Sequence, residues 1–408
     1  MNSIPFEQSM RLKHFAHVEM GQSPPSSDYS ESPDIGLPFL QGTADFTDRF
    51  PQPQTYCVTP NKIAEPNDIL LSVRAPVGEL NIADRIYGIG RGLCAVRTGT
   101  TSTQNYLWWA LHWARTQLSL EATGSTYEAV AVEDVSNLLI PVWNTASQTA
   151  IADYLDRKTA VIDDLLAEKQ RLLEVLAEKR QALITQAVSR GLDPDVPLRD
   201  SGVEWLGEIP EHWETVKGKY LFDIYSGYAP DAVNFEGEDL NYFKVDDLNK
   251  NPGSLYMNSS SNSIGKDRHI TLPEAPIILF PKRGAAIATN KVKIIENAGV
   301  YDTNLMGLKP NEKIEIEFLV YSLLARGLWD MADVSTVPQI NNKHINPMAF
   351  PVPGRSEQQA IVQYLNEHTT TVDQQRAKVG QAIGKLKQYR TALITSAVTG
   401  KIDVQGVA

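Results

Sequence analysis

Two long stretches of the chain repeat hydrophobic residues at intervals of seven positions, with charged residues between them. The first stretch contains no Gly or Pro from Ser147 to Arg190, and the second lies near the C-terminal end. This spacing is typical of coiled-coil helices. About forty residues at 1.5 Å each would form a helix of roughly 60 Å. The predicted helix-pair or partner interface consists of Ile151, Leu155, Ile162, Leu165, Leu172, Leu176, Leu183, Leu365, Val372, Val379, Gly380, Ile383, Gly384, Leu386 and Leu393.

Neither hydrophobic stripe would be stable alone, so we expect the two helices to pair with each other as an antiparallel coiled coil. Lys169 interrupts the first stripe, and Gly380 and Gly384 lie in the middle of the second. Each glycine costs about 1 kcal/mol relative to alanine inside a helix. We expect a close approach of the two helices at these glycines to compensate for that cost.

The same two stretches are copies of one another. Shifting the sequence by 210 residues places Ser147–Asp193 over Glu357–Asp403 without a gap, and 17 of the 47 positions are identical. The shift also carries Ser125-Thr126 onto Ser335-Thr336. A period this long indicates duplicated domains rather than a solenoid. The chain is therefore predicted to consist of two related halves with pseudo-two-fold symmetry.

The part of each half that precedes its helix has a mixed α and β pattern. Strands are predicted at residues 68–74, 93–97 and 137–142 of the first half, and at 277–280, 292–295 and 305–309 of the second. Helices are predicted at 106–117 and 316–325. The fold class is thus α+β. The predicted segments are a first globular domain at 1–144, a helix at 145–192, a linker at 193–214, a second globular domain at 215–352, and a helix with a tail at 353–408.

The net charge of −11 argues against a nucleic-acid binder, but the charge is unevenly distributed. Residues 74–97 contain four basic and two acidic side chains, and residues 266–293 contain six and two. These windows occupy comparable places in the two halves, as two anionic contacts would require. A solvated strand-and-turn surface explains either window equally well.

Only two cysteines occur in the sequence, which favours a reducing cytoplasm. No apolar run of eighteen residues occurs, which favours a protein without a membrane span.

Motifs for catalysis are missing from the sequence. It contains no GxxxxGK[ST] phosphate loop and no Asn/Asp-Pro-Pro-aromatic turn of an amino-methyltransferase. Residues 87–92 include a GxGxG string, which we interpret as a turn between strands. His14 and His17 have no third metal ligand nearby in the sequence, so we predict no metal site. Trp108, Trp109 and Trp113 are interpreted as core packing of a helix rather than a base-stacking platform. His112 of the same helix is interpreted as a core histidine whose hydrogen bonds are satisfied. The chain is not expected to be an enzyme on its own.

The motifs at the ends of the repeated helices resemble those of a known family. Each helix begins with a version of EQxxIxxYL and ends with RxALITxAV, and residues 205–213 read WLGEIPEHW. This arrangement resembles the specificity subunit (HsdS) of type I restriction–modification systems over nearly the whole chain. Two departures are that the first half has no WLGEIP-like segment of its own, and that Gln374 and Gln375 stand at apolar positions of the second helix.

The resemblance implies a non-catalytic reader of double-stranded DNA. Each globular domain would be a target-recognition domain for one half of an asymmetric bipartite site, and the helices would set the spacing between the halves. Two modification subunits, which carry S-adenosylmethionine and methylate adenine N6, would dock on the helices. A restriction subunit using ATP and Mg²⁺ could join them. The chain itself would bind no cofactor and would work in a prokaryotic cytoplasm. The alternative is a coiled-coil scaffold with two protein-binding domains and no DNA contact.

Polar and basic residues in the loops of each domain are the candidates for DNA contact, since reading base edges requires such donors and acceptors. Phosphate contacts would add affinity that depends on salt but not on sequence. The candidates are Gln41, Thr43, Arg74, Arg91, Ser125, Thr126, Tyr127, Lys244, Lys266, Arg268, Lys282, Arg283, Asn290, Lys291, Lys293, Ser335, Thr336 and Lys343.

Overall fold

A computed structural model of the chain describes residues 9–122, 129–233, 235, 237, 239–250, 253–265, 270, 274–297, 299–333 and 337–404. The chain divides into two compact units. Unit 1 comprises Met1–Glu168 with Ala382–Ala408, and unit 2 comprises Lys169–Gln381. Each unit therefore takes a part of both repeated stretches. No helix among the described residues is long and apolar enough to span a membrane.

Unit 1 contains a central four-stranded antiparallel sheet in the order β2-β10-β7-β8. A five-stranded sheet, β3-β5-β4-β9-β6, and a two-stranded sheet, β1-β11, accompany it. The elements are β1 (Ser9–Arg11), β2 (Ala16–Met20), β3 (Tyr29–Ser30), β4 (Leu37–Leu40), β5 (Thr55–Cys57), β6 (Ile63–Ala64), β7 (Ile69–Ser72), β8 (Leu80–Ile82), β9 (Tyr87–Ile89), β10 (Leu93–Thr98), α1 (Gln104–Ala122), α2 (Val132–Ser136), β11 (Leu139–Pro141) and the start of α3 (Thr145–Arg190).

Unit 2 is built on the same plan, with a central antiparallel sheet in the order β15-β21-β18-β19. Smaller sheets are β17-β16-β20, β14-β22 and the hairpin β12-β13. The elements are β12 (Leu198–Asp200), β13 (Glu208–Pro210), β14 (Glu214–Lys217), β15 (Phe222–Ser226), β16 (Leu240–Phe243), β17 (Ser263–Ile264), β18 (Ile277–Pro281), β19 (Lys293–Ile295), β20 (Gly299–Tyr301), β21 (Leu305–Pro310), α4 (Ile316–Arg326), α5 (Asn342–Ile345), β22 (Ala349–Val352) and α6 (Arg355–Val398).

The predicted α+β class, the internal repeat and the most hydrophobic elements are confirmed. The strands β7, β10, β18 and β21 are buried over most of their length, as continuous apolar runs predict. One face of each central sheet packs against α1 or α4 in the main hydrophobic core of its unit. The aromatic residues Trp108 and Trp109 of α1 belong to that core in unit 1, which agrees with their interpretation as packing residues.

The long helices pack together within each unit, and their direction is antiparallel. In unit 1, the Trp143 indole donates to Val398 O at 3.0 Å, and Arg390 pairs with Asp163 at 2.8 Å. In unit 2, Arg180 pairs with Asp373 at 3.0 Å. The predicted interface residues differ in burial. Seven are buried, namely Ile151, Leu155, Ile162, Leu176, Leu365, Val372 and Leu393. Five are half-buried, namely Leu165, Leu183, Val379, Ile383 and Leu386, whereas Leu172, Gly380 and Gly384 are exposed.

The expected close approach of the helices at Gly380 and Gly384 is wrong. A Cβ added to either glycine would meet no described atom within 4 Å. Both positions are exposed and lie on a solvent-facing part of α6. Their helix-breaking tendency is therefore not compensated by packing in the described part of the chain.

Each long helix is attached to its domain by a buried glutamine of the repeated motif. Gln148 accepts a hydrogen bond from Thr103 N at 2.8 Å and donates to Thr101 O and Trp143 O, both at 2.8 Å. Gln358 makes the same three bonds, accepting from Glu315 N at 2.7 Å and donating to the carbonyls of residues 313 and 353. Both side chains are almost fully buried. The glutamine of the EQxxI pattern thus fixes the start of each helix.

A histidine in the core of unit 1 is held in its neutral form. The ring of His112 lies against those of Trp108 and Trp109, with centroid distances of 4.5 and 5.5 Å. Its Nδ1 has no hydrogen-bond partner among the described residues, so the expectation of a satisfied core histidine is wrong. Burial, together with the nearby charges of Arg115 and Arg390, lowers the pKa of His112 to about 3. Such a histidine opposes folding at any pH where the unfolded chain would protonate it.

Replacing both Gly380 and Gly384 with alanine should stabilise the protein. Each substitution removes backbone freedom from the unfolded chain without a steric conflict, so we expect a gain of about 0.5–1 kcal/mol per site in the free energy of unfolding. Urea denaturation measures this gain. Gly191→Ala is the matched control, because Gly191 has φ of +74° and a Cβ there would lie 3.2 Å from the Trp213 ring. That variant should be destabilised.

The His112→Phe variant should remove part of the acid sensitivity. The folded-state pKa of His112 is about 3, below the ordinary value of 6.5, so its contribution to stability is present above about pH 6.5 and is lost as the pH falls towards 3. Between about pH 7.5 and about pH 5 the wild type should lose about 2 kcal/mol more than the variant. Urea denaturation at both pH values measures the difference. His14→Gln, at an exposed histidine, is the control and should lose as much stability as the wild type. A loss in His112→Phe equal to that of the wild type would contradict the assignment.

Candidate nucleic-acid interface

In unit 1, the central sheet ends in a group of exposed polar side chains. The ladder between β7 and β10 ends at the pair Ser72 and Leu93, and Val73 N donates to Gly92 O at 2.9 Å just beyond it. Arg74 and Arg91 follow directly, one on each chain segment. The segment after α1 returns to the same place, where Val130 N donates to Val73 O at 2.8 Å and Ala129 forms a β-bridge with Arg74. We call Gln41, Arg74 and Arg91 the Arg74 edge.

In unit 2, the corresponding end of the central sheet has the same backbone geometry. Lys282 N donates to Asn304 O at 2.8 Å, just beyond the end of the ladder between β18 and β21. Ile340 N donates to Lys282 O at 2.9 Å, and Gln339 forms a β-bridge with Arg283. Arg283 is therefore the structural equivalent of Arg74. We call Lys244, Lys282 and Arg283 the Arg283 edge.

A second pair of equivalent residues completes the two edges. Gly90 N donates to Leu40 O at 2.8 Å where the parallel strands β4 and β9 end, and Asp302 N donates to Phe243 O at 2.9 Å where β16 and β20 end. The next residues are Gln41 in unit 1 and Lys244 in unit 2. Two sequence candidates thus occupy matching positions, although their chemistry differs.

Their hydrogen-bond partners hold Gln41 and Lys244 in place. Gln41 Nε2 donates to Ser23 Oγ at 2.8 Å, and its Oε1 accepts from Tyr29 Oη at 3.3 Å. Lys244 Nζ donates to Asn262 Oδ1 at 3.3 Å and lies 5.5 Å from the centre of the Phe235 ring. Both side chains retain further hydrogen-bonding capacity, since an amide and an ammonium each carry several donors or acceptors.

A cavity of about 400 Å³ opens beside Gln41 and Arg91. Its wall also contains Ser23, Tyr29 and Asp45. The glycine string at residues 87–92 forms β9 and the turn into β10, in agreement with its interpretation as a turn. A Cβ at residue 90 would lie 2.4 Å from Gln41 Oε1, so this string lets the backbone approach the glutamine closely.

Positive charge on the two edges is not neutralised within the described residues. Arg74, Arg91 and Arg283 are exposed, and none makes an ion pair with another described side chain. Arg97 differs, because it pairs with Asp68 at 2.7 Å and with Glu65 at 3.1 Å. Burial, together with the adjacent Arg283 charge, lowers the pKa of Lys282.

Several other candidates lie away from the edges or are engaged elsewhere. Asn290 has a left-handed backbone, with φ of 46°, and donates to Leu324 O at 2.9 Å. Lys293 is buried, which lowers its pKa, and its ammonium donates to Ser254 O. Lys291 donates to Asn249 Oδ1. The basic window at residues 266–293 is therefore not one continuous surface within the described part of the chain.

The remaining candidates are divided between loop positions and undescribed residues. Thr43 is half-buried and lies in a 3₁₀ turn two residues after Gln41. Lys343 is exposed and pairs with Asp333 at 2.9 Å. The candidates outside the described residues are Ser125, Thr126, Tyr127, Lys266, Arg268, Ser335 and Thr336.

No group of three or more His, Cys, Asp or Glu side chains suited to a metal was found among the described residues.

Gln339 lies beside the Arg283 edge, although sequence reasoning did not select it. It follows the shared Ser-Thr pair and bridges Arg283 directly. The signal was present in the repeat, because the shift of 210 residues that relates the two helices also carries Ala129 onto Gln339. Extending that shift into the weakly matching segment before the helix would have identified it.

Comparison with known proteins places the chain beside DNA-specificity proteins. The family model for the type I restriction modification DNA specificity domain matches residues 6–175 and 210–381. The MjaX specificity subunit of Methanocaldococcus jannaschii is 34% identical over 173 residues, which span 42% of this chain and 39% of that relative. The type I restriction enzyme MjaVIII specificity subunit of the same organism is 23% identical over 314 residues, covering 74% of this chain and 71% of the relative.

The fold also has a solved counterpart. A chain from work on the complex assembly and conformational transition of the type I R-M system matches with a TM-score of 0.74 and 17% identity. The match covers 97% of this chain and 98% of that one. At this level of identity the match supports the fold alone.

Proposed function

Because this chain belongs to the type I restriction modification DNA specificity domain family, we propose that it is the non-catalytic DNA-specificity subunit of a type I restriction–modification complex. Each unit reads one half of an asymmetric bipartite site in double-stranded DNA. The bases are methylated and the DNA is cut by other subunits, which this chain directs to the site.

The observation that carries the proposal is the equivalence of Arg74 and Arg283. Each follows the central strand of its unit, bridges the returning segment after α1 or α4, and carries a guanidinium without an ion pair among the described residues. An exposed arginine on a rigid sheet edge suits bidentate contact with guanine O6 and N7, or with a phosphate. Repetition of this geometry favours two DNA contacts over a protein scaffold.

Differences between the two edges support different half-sites. The Arg74 edge adds the amide of Gln41, which can pair bidentately with adenine N6 and N7. The Arg283 edge has ammonium groups at Lys244 and Lys282, which favour guanine or phosphate oxygens. Arg91 also lacks a basic counterpart, because the position opposite Arg283 is Thr303. The target is therefore asymmetric.

The long helices are the proposed spacer and the docking surface for two modification subunits. In unit 1 their exposed apolar side chains include Val161 and Tyr389, and in unit 2 they include Leu172 and Val175. Apolar groups left exposed on a helix pair suit a protein partner. The modification subunits supply S-adenosylmethionine and act on adenine N6, and a restriction subunit would supply the ATP- and Mg²⁺-dependent steps. The assembly works in the cytoplasm of a prokaryotic cell.

Methylome mapping tests the proposal directly. N6-methyladenine is mapped across the genome of the source cell, with the gene present and with it deleted. Loss of one asymmetric bipartite motif on deletion supports the proposed function and identifies the target. If the purified chain together with its modification subunits fails to bind DNA and the map is unchanged, the scaffold alternative replaces it.

Replacing Arg74 or Arg283 with alanine should alter recognition of one half-site only. Each variant should weaken discrimination at a single position of its own half by about 1–3 kcal/mol. The measurement is competition binding by the complex with modification subunits, using duplexes substituted in either half.

Lys13→Ala and Lys219→Ala are the matched controls. Lys13 precedes β2 and Lys219 precedes β15, so both lie at the opposite end of the sheet from the edge of their unit. They should leave both half-sites unaffected. Equal losses at both halves for an edge variant would show that the arginine supports folding or general DNA affinity instead.

A further inference from the structure

The segment that bridges Arg283 is held by a compact set of hydrogen bonds. Gly284 N donates to Pro338 O at 2.8 Å, and Asp333 N donates to Gln339 O at 3.0 Å. The Gln339 amide in turn donates to Asn341 Oδ1 at 2.9 Å. Backbone bonds thus hold the main chain of Gln339 beside Arg283, whereas its side-chain amide is held by Asn341.

His344 fixes the chain at Asn341. Its Nδ1 accepts a hydrogen bond from Asn341 N at 3.0 Å, which closes the first turn of α5. Its Nε2 lies 3.3 Å from Asp333 Oδ1. Because Nδ1 accepts, the ring is the neutral tautomer with its proton on Nε2, which donates to the carboxylate. One imidazole thus contacts both Asn341 and Asp333.

Several charged groups surround this imidazole. Asp333 also pairs with Lys343 of α5, and that ammonium lowers the pKa of Asp333, with a smaller effect from His344. Arg326, Asp330 and the linker residue Glu204 line the same cavity as His344. Arg326 is engaged with Asp330 at 2.8 Å. The ring therefore faces charges of both signs, and the acceptor that Asn341 N uses is the ring nitrogen.

Unit 1 closes the equivalent turn with a different side chain. Ala131 N donates to Asp134 Oδ2 at 2.8 Å at the start of α2. The repeat shift of 210 residues carries Ala131 onto Asn341 and Asp134 onto His344. A carboxylate remains an acceptor well below neutral pH, whereas an imidazole loses its acceptor nitrogen on protonation between about pH 5 and about pH 8.

We infer that His344 is a positioning residue for the Arg283 edge, and that it makes recognition of the half-site read by unit 2 sensitive to mild acid. A protonated Nδ1 is a second donor facing the Asn341 N–H. The hydrogen bond between Asn341 N and the ring is then lost, and Asn341 holds the Gln339 amide less firmly. The half-site read by unit 1 stays insensitive, because Asp134 closes its turn. This inference rests on the proposed function.

Exchanging the acceptor side chains at positions 344 and 134, which close the equivalent turns, tests the inference in the full chain assembled with its modification subunits. Between about pH 7.5 and about pH 5.5, the wild type should lose about fivefold in affinity for a duplex carrying only the half-site read by unit 2. His344→Asn, which keeps a neutral acceptor, should remove that loss. Asp134→His should create a similar loss for the half-site read by unit 1. His344→Ala should show the weaker binding at both pH values.

Amide hydrogen exchange of residues 337–345 separates failure of this inference from failure of the proposed function. Exchange in wild type, corrected for the intrinsic pH effect, should rise at the lower pH, and His344→Asn should suppress the rise whether or not DNA is bound. A pH-dependent loss that persists in His344→Asn, or unchanged protection in wild type, would overturn the inference. Absence of DNA binding at both pH values would count against the proposed function instead.

Discussion

One buried glutamine in each unit ties the start of a long helix to the domain that carries the Arg74 edge or the Arg283 edge. Gln148 joins the start of α3 to the turn between β10 and α1, and Gln358 joins the start of α6 to the turn between β21 and α4. Both amides are almost fully buried, so each group left without its partner would cost about 1–3 kcal/mol. Substitution at either position would therefore weaken the attachment of the helix to its domain.

The same attachment fixes a distance. The strands β10 and β21 are each six residues long. Strand β10 leads from the Arg74 edge, and β21 from the Arg283 edge, to the turn that the glutamine of that unit holds. At about 3.3 Å per residue, the edge and the helix start are separated by about 20 Å of rigid strand. The proposed reading of two half-sites at a set spacing requires such a fixed relation between the groups that contact bases and the helix that carries them. The side chains at the edge can then vary without disturbing the scaffold.

The sequence was sufficient to predict those elements that have a continuous apolar run or that belong to the internal repeat. The buried strands β7, β10, β18 and β21 and the heptad stripes follow from their apolar patterns. The short strands β3 to β6 could not be predicted, because two to four residues with partial burial carry almost no periodic signal.

Lys293 shows a second limit of prediction from the sequence. Charge density along a chain does not determine which way a strand faces, and this lysine points into the protein.

The overall acidity can be reconciled with DNA reading once paired and unpaired cations are distinguished. Arg97, Arg180 and Arg390 are each neutralised by a carboxylate within 3.0 Å and add little to the external field. Arg74, Arg91 and Arg283 lack such partners among the described residues, so their charge remains available to the proposed DNA contacts at the two edges. Nonspecific affinity scales with the number of phosphates neutralised. A chain with a net charge of −11 would bind random DNA weakly, which would leave tight binding to sites that satisfy both edges at once.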